Sequence, residues 1–254
     1  MSRAMASDRP RDSSAAFAGA SRQLADIGRR FYARGWVLGT SGNFSAVLSR
    51  RPLRLAITAS AVPKGQLRPT HVLQCDKAGA LVGRRQGSPS AETLLHLQIA
   101  ESRQASAVLH THSVWSTMLS DLHSAAGGFA IEGYEMLKGL EGVTTHLHRE
   151  WIPIIENDQN MPRLARLVGE TLDRFPQAHA FLLRRHGLYT WGDTLAEAER
   201  HVEIFEFLFE TVGRTRAADK RPVKHKGHKG HRVNTPTGSG ADVKEARHGD
   251  LEYP

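Results

Sequence analysis

One short apolar segment constrains the fold of this chain more than any other. In Val108-Leu109-His110-Thr111-His112 an apolar run enters a His-x-His pair. Because side chains alternate along a β-strand, a strand presents both imidazoles on one side, and two such nitrogens begin a metal site. The run is apolar, and a buried pair that can carry charge needs a partner. We therefore expect His110 and His112 to bind a metal ion.

A second apolar run ends in the same way. Phe181-Leu182-Leu183-Arg184-Arg185-His186-Gly187 places a histidine directly before a turn-forming glycine. With His110 and His112, His186 would supply three neutral imidazoles and leave a fourth position for water or substrate. An open position is typical of catalytic metal sites, so the sequence predicts an enzyme.

Length and composition exclude several classes of protein. The 254 residues suffice for one large domain or two small ones with a proper core. No stretch approaches the roughly 18 apolar residues of a membrane span, and no apolar block of a secretory signal follows the N-terminus. We expect a cytoplasmic protein without a membrane partner. Its single cysteine, Cys75, excludes an internal disulfide.

The basic charge lies at the two ends of the chain. Residues 214–254 hold ten basic and five acidic residues, and residues 1–22 hold four and two, so the formal net charge of +8 leaves only +1 for the body. We expect a flexible N-terminal segment (1–20), a catalytic domain (21–213) and a basic, disordered tail (214–254). Weak, salt-dependent binding of nucleic acid by the tail rests on composition alone, so no specific nucleic-acid partner is expected.

Helical and strand-like segments alternate along the body. Apolar spacing, capping residues and prolines predict helices near 21–35, 90–99, 114–122, 162–176 and 194–212. Apolar runs predict strands at 53–58, 108–112, 129–131, 151–155 and 181–183. Because no Gly-x-Gly-x-x-Gly fingerprint is present, this order favours a single three-layer α/β/α domain over a dinucleotide-binding fold.

Other histidines are weaker metal candidates. His146 and His148 form a second His-x-His pair, but they lie in a polar, irregular stretch and are expected to be solvated loop residues. His225, His228 and His231 alternate with lysines, whose charge opposes cation binding. We expect no specific metal at either place.

Small polar residues in three loops form a candidate phosphate site. The loop Gly39-Thr40-Ser41-Gly42-Asn43 offers backbone N–H groups to an anion, with hydroxyl and amide donors beside them. Thr58, Ser60 and Lys64 in the next loop, and Ser90 at a helix start, could converge with it. Separate surface turns explain the same spacing equally well.

Two glutamates are candidates for proton transfer. A metal that polarises a carbonyl still requires a base for the adjacent proton. Glu92 stands at a predicted helix start, where it would also complement the helix dipole. Glu135 is flanked by apolar residues, and we expect such surroundings to raise its pKa, as suits a group that accepts and returns a proton.

Together these residues resemble the class II aldolase and adducin-head family from Leu24 to about Val212. The motifs that carry the resemblance are Gly39-Thr40-Ser41-Gly42-Asn43-Phe44-Ser45, Thr58-Ala59-Ser60, Ser90-Ala91-Glu92, His110-Thr111-His112-Ser113 and Arg185-His186-Gly187. Within the family, the stretches Glu135-Met136-Leu137-Lys138-Gly139 and Ile152-Pro153-Ile154-Ile155-Glu156-Asn157 are typical of its sugar-phosphate dehydratases.

The resemblance implies a central, mainly antiparallel sheet and a set of site residues. It implies one zinc ion per subunit on His110, His112 and His186, with Glu135 as proton donor and acceptor. Glu92 stands where the aldolases keep their catalytic glutamate and is the second candidate. The candidate phosphate-binding residues are Gly42, Asn43, Thr58, Ser60 and Ser90. Implied partners are a small sugar phosphate and further copies of the chain, in a homo-oligomer that is commonly a tetramer.

Two alternatives remain open. Glu92 favours a class II sugar-phosphate aldolase or epimerase, whereas the longer dehydratase-like stretches disfavour one. Adducin heads share the fold without metal chemistry, which makes a noncatalytic scaffold the alternative from another class. Intact His110, His112 and His186 argue against the scaffold.

Overall fold

A nine-stranded sheet forms the centre of the protein, which a computed structural model describes for residues 13–219. In chain order the strands are β1 (Asn43–Arg50), β2 (Leu53–Thr58), β3 (Val72–Asp76), β4 (Leu81–Val82), β5 (Ala107–Thr111), β6 (Gly128–Glu132), β7 (Arg149–Ile155), β8 (Ala180–Leu183) and β9 (Gly187–Gly192). Their order across the sheet is β4-β3-β2-β1-β5-β9-β8-β7-β6. Only the β7–β8 pair is parallel among these described strands.

Helices cover both faces of the sheet. They are α1 (Ser13–Ala33), α2 (Thr93–Ser102), α3 (Val114–Leu122), α4 (Met161–Arg174) and α5 (Leu195–Asp219). Side chains along β5 point alternately to the two faces of the sheet. Ala107 and Leu109 pack with residues of α1 and α5, whereas Val108 packs with residues of α2 and α4. The predicted three-layer α/β/α fold with a mainly antiparallel sheet is confirmed.

Both predicted domain boundaries fall inside helices. Helix α1 begins at Ser13, before the expected start of order at residue 21, because Phe17 and Ala20 pack against the core. The Arg85 guanidinium also lies 4.5 Å from the centre of the Phe17 ring. Helix α5 continues to Asp219, past the predicted boundary at residue 213. The remaining parts of the predicted flexible segment and basic tail lie outside the described residues.

The middle of the sheet brings three distant segments together. Strand β5 lies between β1 and β9, with Asn43 opposite His110 on one side and Tyr189 opposite His110 on the other. Side chains at paired positions share a face of the sheet. The end of β5 therefore places His110 beside the glycine-rich loop before β1 and beside the β8–β9 turn. Within residues 13–219, no helix has the length and apolar character needed to cross a membrane.

Candidate metal centre and active site

The three predicted histidines meet at the end of β5. The Nε2 atom of His110 lies 2.7 Å from Nε2 of His112 and 3.3 Å from Nε2 of His186. The Nε2 atoms of His112 and His186 are 3.1 Å apart. Three ring nitrogens that converge on one point form a metal-ligand set of the kind that divalent cations bind. The structure thus brings together the residues that the sequence predicted.

The surroundings of His110 select the tautomer that a metal requires. His110 is fully buried, and its Nδ1 lies 2.8 Å from the carbonyl oxygen of Leu188. A carbonyl only accepts, so Nδ1 carries the proton and Nε2 keeps its lone pair. The His110 ring stacks on Tyr189, with ring centres 3.9 Å apart. Backbone and packing therefore orient Nε2 towards the other two histidines.

His186 reaches the site through the tight turn between β8 and β9. Arg185 adopts a left-handed conformation, with φ of 54°. Gly187 follows, and a Cβ there would overlap the carbonyl oxygen of Thr111, so only glycine fits beside β5. The Nδ1 of His186 donates to Asn157 Oδ1 over 3.4 Å, which leaves Nε2 facing the site. Sequence alone showed the glycine but not the contact that requires it.

The three rings are uncharged at neutral pH. Burial, followed by the proximity of His112 and His186, holds the pKa of His110 well below its usual value. Burial, with His186 and Lys64 nearby, lowers the pKa of His112 to about 3. Burial also lowers the pKa of His186, although Glu92 opposes the shift. Neutral imidazoles offer lone pairs to a cation, so the donor set fits a divalent metal ion.

Glu92 lies among the histidines. Its carboxylate oxygens are 3.2 Å from Nε2 of His186 and 3.4 Å from Nε2 of His110. The residue directly precedes α2, and Asn43 donates to it from Nδ2 over 2.6 Å. Glu92 is the only carboxylate among the described residues that lines the adjoining cavity, which has a volume of about 500 Å³. Glu92, the second candidate for proton transfer, therefore lies at the end of the cavity where the three histidines meet.

Four of the five predicted phosphate residues line this cavity. Gly42, Asn43, Ser60 and Ser90 contribute to its wall. Gly42 has φ of 72°, and a Cβ there would lie 2.7 Å from the carbonyl oxygen of His110, so the loop needs glycine to pass this close. Ser90 precedes α2, whose N-terminal end adds a favourable dipole for an anion. The three loops therefore converge on one cavity, which the spacing of their residues in the sequence could not establish.

Two predicted residues lie elsewhere. Thr58 is buried at the end of β2, where its hydroxyl accepts the N–H of Phe44 in the neighbouring strand β1, and it does not line the cavity. Glu135 does not line it either: its side chain is 73% exposed and pairs with Lys138 at 2.7 Å. The hydrogen bond from Lys138 lowers the pKa of Glu135. The expected rise in this pKa is wrong, because only Tyr134 and Leu137 turn towards the core, while Met136 and the carboxylate are exposed.

Lys64 also lines the cavity. It was predicted from the sequence as a donor of the second loop, but it was not in the set of phosphate-binding residues that the resemblance implied. It is 1% exposed, and its ammonium donates to the carbonyl oxygens of Thr40 and Val62 at 3.0 and 3.1 Å. It thereby joins the two loops of the cavity wall and keeps its third hydrogen for another acceptor. Burial lowers the pKa of Lys64 to about 8, against a rise from Glu92, so the group is mainly charged at neutral pH. The available signal in the sequence was its position in the second loop, a few residues after Ser60.

The second His-x-His pair is not a simple solvated loop. His148 lies 2.7 Å from the Oε2 atom of Glu150, which is 1% exposed. His179 donates to the same carboxylate from Nδ1 and to the carbonyl oxygen of Glu141 from Nε2. A ring that donates from both nitrogens is protonated, so this cluster is a buried ion pair. The expectation of solvated histidines is wrong for His148, because Glu150 points inwards from β7.

Glu150 should make the free energy of unfolding depend on pH in the acid range. Burial alone would raise the pKa of Glu150, but hydrogen bonds from His179 and His148 outweigh it and lower the pKa. Its contribution to the free energy of unfolding is therefore fully present above about pH 4.5, the pKa of a glutamate in the unfolded chain. That contribution is lost as the pH falls through the lower pKa of Glu150 in the folded protein. We expect Glu150→Gln to lower the unfolding free energy at pH 7 by about 3 kcal/mol. Denaturant unfolding from pH 7 to 3 measures both effects.

The control for this prediction is Glu170→Gln. Glu170 forms an exposed pair with Arg166 one helical turn away, and such pairs contribute little. An equal loss of stability in both variants would contradict the assignment.

Comparisons with known proteins agree with this geometry. Residues 22–212 match the model of the Class II Aldolase and Adducin N-terminal domain. A methylthioribulose-1-phosphate dehydratase of Methylococcus capsulatus is 48% identical over 190 residues, covering 74% of this chain and 90% of that protein. One of Pseudomonas savastanoi pv. phaseolicola is 47% identical, covering 79% and 97%. The L-fuculose-1-phosphate aldolase of Thermus thermophilus shares the fold, with a TM-score of 0.62, 23% identity, and coverage of 82% and 99%.

Proposed function

The chain belongs to the class II aldolase and adducin N-terminal domain family, and from that premise we propose that it is a lyase that dehydrates methylthioribulose 1-phosphate. The product is the corresponding 2,3-diketone phosphate, which places the enzyme in methionine salvage. The likeness to dehydratases across 90% or more of their length supports this choice of substrate. The observation that carries the chemistry is the convergence of three histidine Nε2 atoms beside a cavity with anion-binding loops.

The histidine set supports a resident zinc ion, one per subunit. Imidazole nitrogens suit zinc, and three of them leave a position for substrate. A divalent ion held by His110, His112 and His186 would polarise the C2 carbonyl of the substrate and acidify the neighbouring C3–H bond.

The protein side chains bind the phosphate and move the protons. The loop at Gly42, the hydroxyls of Ser60 and Ser90, and the ammonium of Lys64 would hold the C1 phosphate at one end of the cavity. A carboxylate removes the C3 proton, and the C4 hydroxyl leaves as water after taking up a proton. The remaining enol gains a proton at C4 and releases the proton of its C3 hydroxyl, which gives the diketone. One proton leaves C3 and one hydroxide leaves C4, so the net loss is one molecule of water.

Glu135 is the proposed base, acting from a second copy of the chain. Its exposed carboxylate does not line the cavity of its own protomer. Exposure leaves it free to enter the cavity of a neighbouring subunit, and a homo-oligomer, in this family commonly a tetramer, would supply that neighbour. In this arrangement Glu92 lies at the metal end of the cavity and belongs to the same protomer as the three histidines.

Lys64 should determine affinity for the phosphate. Losing a buried, charged hydrogen bond costs about 1.5–3 kcal/mol, so we expect Lys64→Gln to raise KM roughly tenfold to a hundredfold and to weaken inhibition by inorganic phosphate equally. Because the pKa of Lys64 is about 8, the KM of the native enzyme should also rise above that pH. Steady-state kinetics between pH 6.5 and 9.5 test both expectations.

Lys64→Arg and Lys77→Gln are the controls. Arginine keeps its charge throughout this range and should remove the rise in KM above pH 8. Lys77 lies exposed in the β3–β4 turn and should tolerate the change. A KM that rises equally in Lys77→Gln, or not at all in Lys64→Gln, would exclude Lys64 from phosphate binding.

The reaction itself is tested with purified, zinc-loaded protein and methylthioribulose 1-phosphate, with and without a chelator. We expect NMR to show a diketone phosphate that forms only without chelator. Dihydroxyacetone phosphate would instead identify an aldolase, which the position of Glu92 beside the histidines favours as the second candidate. Substrate that stays intact with zinc bound would refute the proposed substrate.

A further inference from the structure

A line of buried polar side chains runs from Glu92 into the protein. Asn43 donates to Glu92 from Nδ2 at 2.6 Å, and its Oδ1 meets Nε2 of His96. The other ring nitrogen of His96, Nδ1, lies 2.8 Å from the hydroxyl of Ser45. Ser45, His96 and Asn43 are 1%, 0% and 6% exposed. Water therefore has little access to these hydrogen bonds, and each group depends on its neighbours.

Strand and helix geometry makes this line continuous. Asn43 and Ser45 lie two residues apart on β1, so both point to the face of the sheet that α2 covers. His96 lies one helical turn after Glu92, so both project from the same side of α2. One helix and one strand thus supply alternate members of a single hydrogen-bonded chain.

The chemistry of the four groups permits one direction of donation. The amide nitrogen of Asn43 donates to the Glu92 carboxylate, so its oxygen must accept from His96. His96 therefore carries its proton on Nε2, and Nδ1 accepts from the Ser45 hydroxyl. Burial lowers the pKa of His96 to about 3, which agrees with a neutral ring. Donation runs from Ser45 through His96 and Asn43 to Glu92.

Two other arrangements of these hydrogen bonds can be considered, and each places two acceptors against each other. If His96 carried its proton on Nδ1, the Nε2 lone pair would face the Asn43 oxygen. If the Asn43 amide turned over, its oxygen would face the Glu92 carboxylate. Both arrangements leave buried polar groups without hydrogen bonds. The tautomer of His96 thus determines which atom Asn43 presents to Glu92.

We propose that His96 and Ser45 are positioning residues, which fix the amide of Asn43 and thereby aim the Glu92 carboxylate at the metal end of the cavity. They act through Asn43 and do not touch substrate. This role deepens the proposed dehydration and rests on it for its kinetic effect, whereas the tautomer of His96 is independent of any reaction. Asn43 then has one amide hydrogen committed to Glu92 and one left for the cavity.

Ser45→Ala is the decisive variant, because it removes the hydroxyl that holds Nδ1 as an acceptor. Native His96 should show a protonated Nε2 in nitrogen-15 NMR of histidine-labelled protein, with its signal identified from His96→Gln. In Ser45→Ala the Nδ1 atom loses its hydrogen-bond donor, so its nitrogen-15 signal should move towards that of an imine nitrogen without a hydrogen bond, while Nε2 stays protonated. We also expect kcat to fall roughly 10–100-fold, with zinc content and KM little changed, as for loss of an outer-shell partner.

Two further variants separate positioning from packing. Ser45→Thr keeps the hydroxyl and should restore both the native Nδ1 signal and most of kcat. Ser49→Ala removes a hydroxyl from the other end of the same strand, where it donates to the carbonyl of Pro52, and should change neither. Thermal unfolding of each variant checks that the fold is retained.

A proton on Nδ1 of native His96, or an Nδ1 signal that Ser45→Ala leaves unchanged, would overturn the proposal. A loss of kcat that Ser45→Thr fails to restore, or that Ser49→Ala shares, would overturn it as well. If native enzyme does not turn over methylthioribulose 1-phosphate, the proposed function fails. The NMR comparison of native protein and Ser45→Ala then still decides the hydrogen-bond direction. The two failures are therefore distinguishable.

Discussion

His186→Gln should leave a folded protein that no longer retains zinc and dehydrates its substrate at least about 10³-fold more slowly, the order expected when several kcal/mol of metal stabilisation are lost. His186 lies on a turn and is 15% exposed, so the change perturbs packing little. Its Nε2 completes the three-nitrogen set, and a glutamine amide is a far weaker ligand. Metal analysis and steady-state kinetics on the same preparation measure both losses.

His71→Gln is the matched control for this substitution. His71 lies in a short helical turn before β3, outside the cavity, where its ring only accepts the N–H of Arg68. It should keep zinc and full activity. Zinc bound equally by His186→Gln and native protein would remove His186 from the metal centre.

Glu135→Gln should abolish dehydration while zinc stays bound, and activity should return in hybrids with His186→Gln chains. Each variant alone lacks one part of every site. In a mixed oligomer, a site that combines the histidines of one chain with Glu135 of the other is complete. Random mixing in equal amounts should restore about a quarter of the native sites. Co-expression with two affinity tags and tandem purification isolates the hybrids for assay.

Glu132→Gln is the control for the Glu135 substitution. Glu132 is an exposed carboxylate at the end of β6 that pairs with Arg149, and its loss should leave activity unchanged. Purified hybrids that remain inactive would show that Glu135 does not act across subunits. Residual turnover by Glu135→Gln alone at the native rate would show that it is not the base.

The meeting of the three histidines was predictable because their signals in the sequence are local. His110 and His112 stand at the end of the apolar run that forms β5, and His186 directly precedes the glycine at which β9 begins. The helices at α3 and α4 follow from short-range features in the same way, namely apolar spacing and Pro162 in a first turn. Local signals of this kind depend on a few neighbouring residues.

Helix ends and carboxylate roles were less predictable. The start of α1 at Ser13 depends on Phe17 reaching the core, which sequence spacing does not reveal. Thr58 and Ser60 belong to one motif, yet Thr58 points inwards at the end of β2 while Ser60 reaches the cavity. The pKa expected for Glu135 was wrong because it was inferred from sequence neighbours, whereas Lys138 and solvent surround the carboxylate.

The sequence by itself determined the layered α/β fold, the three histidines and the family, since periodicity and short motifs carry that information. Tertiary structure alone decided that Glu92 meets two of those histidines, His110 and His186. It also decided that Lys64 joins two cavity loops and that His96 hydrogen-bonds to Asn43. These contacts join residues that are 18 to 94 positions apart in the chain. Strand pairing and helix packing bring such residues together, and no local pattern encodes the distance between them.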